Sequence, residues 1–238
     1  GGAVGVARFE KSGSLHEMIS IQYSVGIYLL PRNWKDNQMA ELKIGIVVGS
    51  TREGRFADKP ANWIRDLAQQ RPELDVELVD LRDYPMPFFE DATSPAYGPS
   101  PNKLVQAWQA KVASLDGYIF TAAEYNHGPT AVLKNALDYA FKEWNNKPAA
   151  FVGYGGVGGT RAVEQLRLHA VELEMAPIRN AVHILLPDFL AVRSDEKALS
   201  EIEHLNTGAN AMLDQFTWWA KALKAARSRD EVEAARAA

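Results

Sequence analysis

From Leu42 onward, short apolar runs alternate with segments of helical period, and this alternation limits the possible folds more than any other feature of the chain. Strand-like runs fall at 43–48, 76–80, 117–122, 149–153 and 182–186, and helix-like runs at 57–70, 103–114, 130–143, 160–173 and 195–226. The first four strand runs are almost continuously apolar, as strands are when helices cover both faces of their sheet. Parallel strands joined through helices cross over with one hand. Five βα units therefore predict an α/β fold with a doubly wound, five-stranded parallel sheet in the order 2-1-3-4-5. Ligands are expected beyond the carboxyl ends of its strands.

The domain is read as 39–226, with 1–38 as an N-terminal extension and 227–238 as a charged tail. Residues 1–38 lack periodicity and lack the continuous apolar stretch of a secretory signal, and Met39 stands directly before the first strand. No run of about 18 apolar residues predicts a membrane span. A net charge of -4, with no basic stripe, argues against a nucleic-acid partner. The chain has no cysteine. That excludes thiolate chemistry and disulfides and fits a reducing cytoplasm. No cluster with metal-ligand spacing is read, so no metal is expected. In the last helix, Leu205, Ala209, Met212, Leu213, Phe216, Trp219 and Leu223 recur at helical spacing and read as a core stripe.

Three loops at strand ends carry the candidate chemistry. Gly49-Ser50-Thr51-Arg52-Glu53-Gly54-Arg55 joins the first strand to a helix. A helix start offers free N–H groups and partial positive charge, Ser50 and Thr51 add hydroxyls, and Arg52 and Arg55 can grip phosphate oxygens with paired N–H groups. The plainer reading is an ordinary βα turn with exposed arginines. After the third strand comes Glu124-Tyr125-Asn126-His127-Gly128-Pro129. Glu124 and Asn126 could hydrogen-bond a heteroaromatic edge or a sugar chain, or Asn126 or Thr130 could cap the next helix. His127 could move a proton, but a loop histidine with no visible partner reads first as polar surface. After the fourth strand, Gly153-Tyr154-Gly155-Gly156-Val157-Gly158-Gly159 matches G-x-G-x-x-G. It sits in the fourth unit, not the first, and no acid ends a strand about 20 residues on, as a dinucleotide fold would require. The glycines read instead as a flat backbone floor that a ring can approach. The proline-rich segment 84–101 is long for a βα connection, the kind that carries function or moves.

Taken together, GSTREGR, EYNHGPTAVLKNALD and YGGVGGTRAVEQLR resemble the NADPH-dependent FMN reductase family, which includes quinone, chromate and azo-dye reductases of flavodoxin-like fold. The resemblance spans about 43–186. It implies that Ser50, Arg52 and Arg55 hold the FMN phosphate. Glu124, Tyr125 and Asn126 would line the ribityl chain and ring edge, and Gly155 and Gly156 would lie against the ring. Two positions depart from the family pattern: Ala123 replaces a usual proline before Glu-Tyr-Asn, and Gly128 replaces a usual serine after the histidine.

The resemblance further implies a homodimer or homotetramer. It implies electron transfer from NADPH or NADH through the flavin N5 to a quinone-like or flavin acceptor, without a catalytic side chain. The sequence carries no second cofactor motif, no cysteine pair and no metal cluster where electrons could wait, so a ping-pong sequence is expected. Two other classes stay open from sequence: a flavodoxin-type electron carrier, disfavoured by the mild net charge and the loop arginines, and a flavin-free nucleotide-binding scaffold.

Overall fold

The computed structural model describes residues 42–237, so the reading of 1–38 as an extension starting before Met39 lies outside the described residues. Six parallel strands form the sheet: β1 (Leu42–Val48), β2 (Leu74–Asp80), β3 (Gly117–Ala123), β4 (Pro148–Tyr154), β5 (Ala176–Pro177) and β6 (Val182–Ile184). Their order is β2-β1-β3-β4, with β5 and β6 both paired along the outer edge of β4. The expected 2-1-3-4-5 order is observed, and its fifth position is a strand broken in two. The break spans residues 178–181, where the Asn180 N–H turns to the Gln215 side chain at 2.8 Å and leaves the ladder.

Alternation along the strands sorts the core. Ile44, Ile46 and Val48 of β1 and Ile119 of β3 face helices α1 (Asp58–Ala68) and α6 (Glu203–Ala237). Val47, Tyr118, Phe120 and Ala122 face α2 (Lys103–Ala113), α3 (Ala131–Asp138) and α4 (Thr160–Glu172). Side chains two apart share a sheet face, so continuous apolar runs fill both layers.

The structure differs from the sequence expectation in several elements. Helix α3 stops at Asp138, because Tyr139, Ala140 and Trp144 are spent on the core cluster under α2 instead of on a helical stripe. The run at 182–186 ends at Ile184, and a helix not foreseen, α5 (Leu186–Arg193), begins at once with proline in its first turn. A proline there costs no hydrogen bond, since first-turn N–H groups have no helical acceptor. Helix α6 begins at Glu203 and continues past Ala226, where Arg227 donates to the Asn146 carbonyl at 2.7 Å and to Asp116 at 2.9 Å. Its stripe is buried from Leu205 to Phe216, but Trp219 is partly exposed, stacked edge-on against Trp218 at 5.2 Å. Among the described residues, no helix is long and apolar enough to cross a membrane.

Candidate cofactor site

The carboxyl ends of β1, β3 and β4 converge on one cavity of about 380 Å³, lined among others by Ser50, Arg52, Arg55, Glu124, Tyr125, Tyr154 and Gly155. A neighbouring cavity of about 470 Å³ shares Ser50, Arg52 and Tyr125 and runs toward Met86, Phe88 and Thr130. Arg52 and Tyr125 form the wall between them, the guanidinium 5.7 Å from the tyrosine ring centre.

Close backbone approach builds the first loop. A Cβ on Gly49 would lie 2.3 Å from the Thr121 carbonyl, so only glycine lets β1 turn against β3 there. The Thr121 hydroxyl accepts from the Gly49 N–H at 3.3 Å and donates to the Val47 carbonyl at 3.2 Å. Thr130 donates to the Gly49 carbonyl at 2.6 Å and accepts from the Leu133 N–H, so it caps α3 and ties it to β1. Helix α1 starts with no side-chain cap at Ala57.

Ser50 is buried, its hydroxyl 3.1 Å from the Tyr125 hydroxyl. Arg52 is exposed. Arg55, read from the sequence as a phosphate grip, is spent otherwise. Its side chain is 5% exposed. Nε and Nη2 both donate to Asp58, Nη2 also to Asp80, and Nη1 to Asp80 and to the Ser50 carbonyl, each at 2.7 Å. A guanidinium has five N–H donors, and all five of Arg55 go to protein acceptors. Burial would push the Asp80 carboxyl up, but the Arg55 hydrogen bonds, the Arg82 N–H and the two positive charges outweigh it and hold Asp80 below its ordinary range.

The second loop is a two-residue hairpin. Tyr125 and Gly128 exchange backbone hydrogen bonds at 2.9 and 3.2 Å, and Asn126 and His127 between them have φ of 49° and 73°. Positive φ at both central residues marks a type I′ turn. A Cβ at Gly128 would lie 2.9 Å from the Gln165 side-chain oxygen, and Gln165 in turn donates to the His127 carbonyl at 2.8 Å. Asn126 and His127 are exposed at the tip, and Asn126 lines neither cavity. The Glu124 side chain is 4% exposed and bound to Arg161, and it also accepts from the Arg161 N–H at 3.1 Å. Helix α4 has no cap of its own at Gly159, and Glu124 serves in that place from the neighbouring loop.

In the third loop the glycines divide by cause. A Cβ on Gly153 would lie 2.6 Å from the Gly158 carbonyl, and one on Gly159, at φ +68°, 2.6 Å from the Tyr154 nitrogen. Gly155 has φ of +139°. Gly156 has neither a positive φ nor any atom within 4 Å of where its Cβ would stand. Nothing inside the protein requires glycine at 156.

Sequence reading missed an aromatic side to the cavity. Phe56 lies 5.2 Å from Tyr154 and 4.5 Å from Phe189, ring centre to ring centre. Burial pushes the Tyr154 hydroxyl well above its ordinary pKa, so it stays protonated. Tyr154 could have been flagged by its place at a strand's carboxyl end. Phe189 and Arg193 could not, because they sit on the unforeseen α5.

A parallel sheet in the order 2-1-3-4-5, with its loops gathered at the carboxyl ends of the strands, is a flavodoxin-like fold, the class in which ligands bind at that end. Within it, residues 42–185 match the family described as NADPH-dependent FMN reductase, and the chain belongs to that family. An NAD(P)H-dependent FMN reductase of Schizosaccharomyces pombe is 35% identical over 147 residues, covering 61% of this chain and 74% of the relative. An NADPH:quinone oxidoreductase of Arabidopsis thaliana is 31% identical over 139 residues, covering 56% and 69%. In solved structures the fold recurs in FerB, an NAD(P)H:(acceptor) oxidoreductase of Paracoccus denitrificans, with TM-score 0.58 and 19% identity over 74% of this chain and 97% of FerB.

Proposed function

We propose that this chain binds FMN at the β1, β3 and β4 loops and uses it to carry electrons from NADPH or NADH to a quinone-like or flavin acceptor. One observation carries the reading: the N–H groups of residues 50–54 donate to no described residue, at the mouth of a cavity where the buried Ser50 hydroxyl and Arg52 converge. Successive free N–H groups at a loop-to-helix junction suit a phosphate. Family membership supports the same cofactor.

In this reading Ser50, Arg52 and the loop N–H groups hold the phosphate, and Arg55 braces the loop from behind. Tyr125, with Glu124 and Asn126 on the same loop, borders the ribityl chain. Gly155 and Gly156 leave open the face against which the ring lies. Bound flavin supplies the chemistry, taking hydride from the nicotinamide and giving electrons to the acceptor at the same place. The chain's own task is orientation, so no side chain is assigned as acid or base. One shared ring face means that the oxidised nucleotide leaves before the acceptor stacks, a ping-pong sequence. Homodimers or homotetramers and a cytoplasmic supply of reduced nucleotide complete the proposal.

The test begins with the purified protein: it should bind FMN and oxidise NAD(P)H with added quinone and no partner protein. Initial rates at several quinone concentrations should give parallel double-reciprocal lines. A protein that takes up no flavin removes the reading. Intersecting lines remove the single-face sequence and leave the flavin.

A further inference from the structure

The β1 loop is held from outside by two arginines, and they act on its carbonyls. Arg55 takes the Ser50 carbonyl at 2.7 Å. Arg82 takes the Thr51 carbonyl through Nε at 3.3 Å and the Arg52 carbonyl through Nη2. These are three consecutive peptides, and none in the described chain is cis. In a planar trans peptide the N–H points opposite to the carbonyl. Fixing the carbonyls of Ser50, Thr51 and Arg52 therefore fixes the N–H groups of Thr51, Arg52 and Glu53. Each is directed away from the arginine that holds its peptide.

Arg82 is itself aimed. It lies in a single 3₁₀ turn, Leu81–Asp83, capped by Asp80, whose carboxylate accepts from the Arg82 N–H at 3.0 Å. The same carboxylate receives two donors from Arg55. One acid at the end of β2 thus holds the Arg55 side chain and the Arg82 backbone. Arg82 is not needed for the core: it is exposed.

Resting on the FMN reading above, we propose that Arg82, set by Asp80, is a positioning residue that presents the Thr51, Arg52 and Glu53 N–H groups to a phosphate, so that this chain prefers phosphorylated over unphosphorylated flavin. Arg82 acts through the loop and touches no reacting atom.

The experiment titrates apoprotein with FMN and, separately, with riboflavin, following quenching of flavin fluorescence, for wild type, Arg82→Met and Arg82→Lys. Freeing two carbonyls to rotate should weaken FMN about 10-fold in Arg82→Met, while riboflavin affinity stays within about 2-fold. Arg82→Lys should be nearly as weak as Arg82→Met, because a point-charge ammonium cannot reproduce the fork that spans two carbonyls. The melting temperatures of the three apoproteins should agree. FMN and riboflavin weakening together, no change in FMN, or full FMN affinity in Arg82→Lys each overturns the inference. Wild type that binds both flavins equally overturns it while leaving a flavin protein standing. Wild type that binds neither overturns the FMN reading as well.

Discussion

The two ends of the sheet treat their polar groups in opposite ways. At the amino end, beside the starts of β3 and β4, the buried charged side chains among the described residues are all paired. Asp116 accepts from the Lys43 N–H at 3.0 Å, Lys224 at 2.7 Å and Arg227 at 2.9 Å. The buried Lys147 ammonium donates to the Val112 and Ala113 carbonyls and to the Tyr118 hydroxyl at 3.1, 3.1 and 3.2 Å. At the carboxyl end a run of N–H groups in residues 50–54 has no described acceptor. Backbone strain does not separate the ends. Asn146 and Glu174 have positive φ at the one, Asn126 and His127 at the other. Unspent donors do, because a protein closes its hydrogen bonds wherever no ligand or water is needed.

The largest effect should come where the third loop packs on itself. Gly159 has φ +68°, and a Cβ there would lie 2.6 Å from the Tyr154 nitrogen. Left-handed strain and backbone overlap together predict that Gly159→Ala loses about 3 kcal/mol of stability. Denaturant unfolding measures this. A variant as stable as wild type would mean that the loop does not pack against the end of β4 as tightly as its backbone distances indicate.

Next in size, Arg52→Ala should weaken FMN about 10- to 100-fold, the loss of a charged hydrogen-bonding partner. Its stability should be unchanged, since Arg52 is exposed. Unchanged FMN affinity would take Arg52 out of the phosphate site. Arg55→Ala serves as the contrast. With five donors committed inside the protein, its loss should lower stability together with FMN affinity. A pure affinity loss would return Arg55 to direct contact.

These contrasts mark how far the sequence could be read. The five-unit alternation was legible because strands buried on both faces are unbroken apolar runs. That Ser50, Arg52, Tyr125 and Gly155 would meet around one cavity was legible because they stand at strand ends, where this topology brings loops together. The commitment of Arg55 was not. It depends on Asp80, which lies 25 residues on and becomes a neighbour only when β2 pairs with β1. Glu124 was hidden in the same way, since its partner Arg161 is on α4. Helix α5 escaped because Leu185-Leu186-Pro187 continues the apolar run of β6 until the proline turns it. Sequence shows which groups a loop carries. Pairing decides which of them remain free.

The closed end gives a smaller, pH-dependent effect. Burial lowers the Lys147 pKa from its ordinary 10.5 to about 8. Between those values the unfolded chain holds a proton that the folded chain has released, so stability rises with pH across the window. Relative to Lys147→Met, wild type should gain on the order of 2 kcal/mol between pH 7.5 and 10.5. A stability gap that stays flat over that range would show the ammonium to be well solvated, and the contrast between a sealed end and an open one would weaken.

The smallest effect tests the open end most directly. Gly156 is exposed, has no positive φ and would meet nothing within 4 Å if it carried a Cβ. Alanine there should leave stability unchanged or raise it by about 0.5 kcal/mol, because the unfolded chain loses freedom and the folded chain loses nothing. If a ring lies against this backbone, the added methyl holds it off by about an atom's radius and forfeits part of its contact. Gly156→Ala should therefore weaken FMN and riboflavin alike by a few-fold, unlike changes at the phosphate loop, which act on FMN alone. Equal flavin affinities in variant and wild type would remove Gly156 from the ring floor and leave Gly155 as its edge. A loss of melting temperature would instead give the glycine a structural cause that its surroundings do not show.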